Sequence, residues 1–102
     1  MRYPIAIEAG DAGHAYGVVV PDLPGCFSAG DSLDEALTNA QEAILLHIEG
    51  LLHDGKPIPN PSEVGRLRRK REFRNWTWAI VDVDMSQLGD KAARNFHGLR
   101  RC

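Results

Sequence analysis

Cys26 follows Asp22 by four residues, Asp82 and Asp84 stand two apart, and six cations crowd the nine positions from Arg66 to Arg74. Each grouping names a chemistry. A nucleophilic thiolate needs a base or a positive field, and no histidine or arginine adjoins Cys26 in the sequence. A small side chain filling a strand is the simpler role for it. Two carboxylates on one strand face hold Mg²⁺ for phosphoryl chemistry only with further ligands, which Asp22, Asp31 or Glu35 would have to supply. His14, His47, His53 and His97 have no spacing that suits a metal. No glycine-rich phosphate loop and no dinucleotide fingerprint occur. Catalytic residues, a cofactor and a metal are therefore not expected. The run Arg66, Arg68, Arg69, Arg71 and Arg74 is the strongest nucleic-acid feature: guanidinium groups on a short helix track phosphates, and Trp76 and Trp78 nearby can stack on bases. The competing role is a solvated connector beside two core tryptophans.

The elements that hold these residues must come from one small domain, since the chain has 102 residues. Hydrophobic and charged fractions of 43% and 25% are those of an ordinary globular protein. Cys26 and Cys102 do not make a disulfide framework, which points to reduced thiols and a cytoplasmic setting. The first twenty residues lack the apolar core of a signal peptide, and no apolar run is long enough to span a membrane. Charge is divided unevenly. Residues 1–55 hold one basic side chain against nine acids, and residues 56–102 hold eleven against five. Either the halves neutralise each other in the fold or one meets a charged partner.

Tyr3, Ile5 and Ile7 alternate with Arg2, Pro4, Ala6 and Glu8, the pattern of a half-buried strand with Pro4 near its start or on an edge. Gly10 to Gly13 supplies turn chemistry for a hairpin. Tyr16 to Val20 is apolar on both faces and reads as a central strand. Pro21-Asp-Leu-Pro-Gly25 breaks it, with Gly25 free to take positive φ. Cys26 to Gly30 is a short third strand. Ser32 and Glu35 form a capping box, and Leu33, Leu37, Ala40, Ile44, Ile48 and Leu51 recur at helical spacing up to a stop at Gly55. Val64 to Arg74 reads as a short exposed helix. Trp76 to Met85 is a last strand, apolar on both faces, placed inside the sheet and parallel to the first strand. The expectation is α+β: β-β-β-α-β, one mixed sheet with one long helix packed on it.

The ordered set RYPIAIE, Y-G-V-V-V-P-D-L-P-G-C-F-S-A-G-D-S-L-D-E-A, the amphipathic helix and WAIVDVDM resembles the HicB-type antitoxins, over residues 1–88. The resemblance implies a partial ribonuclease-H-like fold without nuclease activity. It implies a HicA-type toxin as partner, an mRNA-cleaving protein whose RNA-binding and catalytic surface the antitoxin covers. Asp22, Asp31, Asp34 and Glu35 would be acidic contacts to that basic toxin and Phe27 an apolar one. Homo-oligomers are expected of such a family. Full-length relatives add a C-terminal DNA-binding domain; residues 89–102 form only a short basic tail, which counts against operator DNA binding. The alternative reading is a stand-alone nucleic-acid-binding regulatory module using Arg66 to Arg74.

Overall fold

Ser32 starts the element on which everything else is packed. The computed structural model describes residues 1–9 and 15–86. In it the Ser32 hydroxyl accepts the Glu35 N–H at 3.1 Å while the Glu35 carboxylate accepts the Asp31 N–H at 3.0 Å. The reciprocal pair opens a helix, α1, spanning Leu33–His53. It stops where the sequence says it should: Lys56 N–H reaches Leu51 O at 2.8 Å and Gly55 N–H reaches Leu52 O at 3.1 Å, closing a Schellman motif. Ala36, Ala40, Ile44 and Ile48 on its inner face are fully buried.

Strands β1 (Arg2–Glu8), β2 (Tyr16–Val19) and β3 (Phe27–Gly30) precede the helix, and β4 (Thr77–Asp82) follows it. The sheet order is β3-β2-β1-β4, and every pairing is antiparallel. This corrects two expectations: the sheet is not mixed, and β4 lies at an edge rather than inside. The reason is the path of the chain after α1. Tyr3 Oη donates to Pro59 O at 2.6 Å, and Ser62 is held by Asp22, so the linker passes the start of β1. The chain must then climb the length of the sheet, because β4 begins opposite Ile7. It therefore descends beside β1, antiparallel to it.

β1 is an inner strand, beside β2. Its interior residues are buried on both faces, where the alternation suggested only one. Tyr3, Ile5 and Ile7 join Val18, Val81 and the helix in the main core. Pro4 and Ala6 are buried on the other face, which by register they share with Ile80 and Trp78. Met1 and Val83 exchange two backbone bonds, of 2.9 and 2.8 Å, which by ladder alternation aims the odd residues of β1 at β4 and the even ones at β2. Pro4 thus faces the β2 side, in line with Pro21. Neither proline has an N–H to give, and the β1–β2 ladder ends at Ala6 and Val19.

Gly30 closes β3 against the helix. A Cβ there would collide with the Ala36 backbone N and sit 2.8 Å from Ala36 Cα. Two side-chain amides of α1 then reach the outer rims of the sheet: Asn39 donates to Ala29 O on β3 at 2.8 Å, and Gln41 to Asp82 O on β4 at 3.2 Å.

The expected helix from Val64 to Arg74 is instead two single turns, α2 (Val64–Leu67) and a 3₁₀ turn (Arg71–Phe73). Leu67 and Phe73 are both buried. Six residues apart on one α-helix they would point about 120° from each other, so the chain breaks between them and lets both insert. The turn expected at Gly10–Gly13, together with His14 and the 89–102 tail, lies outside the described residues. Among the described residues no helix is long and apolar enough to cross a membrane.

Candidate partner-docking surfaces

The proline-framed corner is occupied with its own chain. Gly25 takes φ +87° as the turn requires. The half-buried Asp22 carboxylate accepts the Ser62 N–H at 2.8 Å and the Ser62 hydroxyl at 2.5 Å. Beside it, burial and then the Asp22 charge push the Tyr3 phenol above its ordinary pKa. Cys26 is buried at the same corner, and burial raises its thiol too. A desolvated thiol is a poor source of thiolate, so the residue packs rather than reacts.

Asp31, Asp34 and Glu35 gather, exposed, at the N-terminal turn of α1, where their charge suits the positive end of the helix dipole. Asp22 is at the other end of β3. Phe27 is 65% exposed but lies on the sheet face away from α1, in register with Val19. It is four strand residues from Asp31, about 13 Å of chain. The five residues are thus not one patch: three share an end, one holds the linker, and one sits on the opposite face.

Asp34 instead lines a groove of about 390 Å³ between α1 and the β4 edge, with Leu37, Thr38, Gln41, Ile80 and Asp82. Ile80, whose side chain by register is on the face away from α1, is 49% exposed at that edge. Sequence reasoning missed Ile80 because apolar residues on both faces suggested a central strand. The exposed Ile80 side chain and the rim acids Asp34 and Asp82 suit a partner with an apolar centre and a basic margin.

Asp82 lies 3.7 Å from the Met1 amino group, and Asp84 accepts the Ser86 N–H at 3.0 Å. Among the described residues no three His, Cys, Asp or Glu side chains converge as a metal site.

Arg66, Arg68, Arg69, Arg71 and Arg74 are all exposed. Four of them, without Arg66, line a cavity of about 340 Å³ with Phe73, Trp76 and Trp78. Phe73 meets both indoles edge-on, at 5.5 and 5.3 Å between centroids. The Met1–Asp82 contact is the one ion pair among the described residues. None of these five guanidinium groups is ion-paired with a carboxylate among the described residues.

A family model described as the HicB_like antitoxin of bacterial toxin-antitoxin systems matches residues 3–97. The chain is 38% identical over 65 residues to Antitoxin HicB 2 of Photorhabdus laumondii, covering 64% of this chain and 45% of that one. It is similar to the crystal structure of the Burkholderia pseudomallei antitoxin HicB, with 43% identity and a TM-score of 0.76, over 85% of this chain and 66% of the other. A chain of a HicA3 and HicB3 toxin-antitoxin complex matches at 32% identity and a TM-score of 0.68, over 82% of this chain and 99% of that one. The chain thus spans less than half the length of the Photorhabdus relative and about two thirds of the Burkholderia one.

Proposed function

The chain belongs to the HicB-like antitoxin family of bacterial toxin–antitoxin systems, and on that premise we propose that it binds and neutralises a HicA-type, mRNA-cleaving toxin. It does so without catalysis, by covering the toxin's RNA-binding and catalytic surface. The observation that carries this reading is the groove between α1 and the β4 edge, lined by Leu37, Ala79 and Ile80 together with Asp34 and Asp82. Glu35, exposed on the same helical turn as Asp34, and Asp31, exposed just before the Ser32 cap, add negative charge at that end. An acidic rim steers a basic toxin and sets its register, while the apolar centre excludes water from the contact. Phe27 and Asp22 have secondary parts: Phe27 offers a separate apolar contact, and Asp22 keeps the corner in shape.

Co-expression with a HicA-type toxin restores growth and yields a stable complex. Replacing Ile80 with Asp removes the complex, and Asp31→Lys with Asp34→Lys slows association. A toxin that binds the Ile80→Asp chain unchanged places docking elsewhere. Self-association belongs to the same proposal and is read by sedimentation of the purified chain.

A further inference from the structure

The guanidinium groups around Trp76 have no part in that docking. The cavity they line opens beside Trp78, and by register Trp78 shares the sheet face with Pro4 and Ala6, away from α1. We propose that this cavity binds single-stranded nucleic acid, with phosphates against Arg68, Arg69, Arg71 and Arg74 and one base against the indoles of Trp76 and Trp78.

Three observations carry it. The cations surround a concavity rather than cover a bulge, and its volume, about 340 Å³, lies in the usual range of roughly 300–1,000 Å³ for small-ligand clefts. None of the guanidinium groups is ion-paired with a carboxylate among the described residues, although Glu72 lies within the run. Their field is thus available to a polyanion. The aromatic lining is also fixed in advance: Phe73, itself buried, packs at interplanar angles of 72° and 83° against the two indoles, so binding need not order them. Cations alone would draw any polyanion. Cations beside preset indoles select a strand whose bases are free to stack, which excludes an intact duplex. Asn75, at φ +69°, turns the chain between Arg74 and Trp76 and so brings the basic rim and the aromatic wall to one cavity.

The test uses the full chain and short labelled oligonucleotides of one mixed sequence, as single-stranded RNA, single-stranded DNA and duplex DNA. Polarisation gives affinity across a salt series, and tryptophan emission reports on the cavity. Either single strand binds, quenches the indoles and loses affinity with salt at a slope of about −0.7 per phosphate engaged. Comparing the two strands identifies the sugar preferred. The exposed triple variant Arg68→Gln, Arg71→Gln, Arg74→Gln keeps its circular dichroism, flattens the slope by about two and weakens binding by about tenfold or more. Three results overturn the proposal: no binding of either strand at low salt, undiminished binding by the triple variant, or equal duplex binding without quenching. Because neither Asp31 nor Asp34 lines this cavity, the Asp31→Lys, Asp34→Lys chain binds oligonucleotide at least as well as the parent. Failure of toxin docking is thereby distinguished from failure of this site.

Discussion

Asp22 shows how a reactive residue type can be turned to architecture. Its position beside Cys26 suggested either chemistry or partner contact, yet both carboxylate oxygens are engaged by Ser62. That bond joins positions forty residues apart, so nothing in the local sequence announces it. Asp22→Ala leaves the Ser62 N–H without its acceptor and costs about 1–3 kcal/mol in denaturant unfolding. Tyr3 and Cys26 give a pH signature. Both are acids whose pKa is raised in the folded state, from ordinary values of 10.0 and 9.0. The unfolded chain therefore deprotonates first. Their contribution to stability is whole below about pH 9 and is lost as the pH rises through the folded values. Urea midpoints followed from pH 7 to pH 11 fall on the alkaline side, and Tyr3→Phe makes that fall shallower. A Cys26 thiol that reacts with an alkylating reagent only as fast as the protein opens completes the same picture.

At the scale of elements, the parts that read correctly were those with local signals. The S-x-x-E pair, the 21-residue helix and its halt at Gly55 are written in contiguous residues. So was the central place of β2. The edge position and direction of β4 were not, because they depend on where the linker is tied, at Pro59 and Ser62. Apolar side chains on both faces of β4 do not mean that two strands flank it: Val81 is buried in the core while Ile80, on the other face, stays exposed. Gly30 tests the joint between sheet and helix. Gly30→Ala drives a methyl group into the Ala36 backbone, which has no rotamer to change, and destabilises the fold by about 1–3 kcal/mol. An equal loss is not expected at Gly17, where a Cβ meets nothing within 4 Å.

For the whole molecule, the charge asymmetry visible in the sequence becomes two separate surfaces, an acidic turn at the start of α1 and a basic cavity beside Trp78. Composition revealed the imbalance but not its separation, since that follows from the short turns between Ser62 and β4, which gather the cations around Trp76 and Trp78. Association with a basic toxin is accordingly faster at low salt, and the Asp31→Lys, Asp34→Lys chain loses that dependence in stopped-flow mixing. The amides of Asn39 and Gln41 carry a last consequence. Each covers an outward carbonyl on one of the two border strands, so a single helix discourages a neighbour from extending the ladder on either flank. Without them the same strands become templates. A chain with Asn39→Ala and Gln41→Ala melts at nearly the parental temperature yet forms thioflavin-positive fibrils sooner in storage, a failure of shelf life rather than of folding.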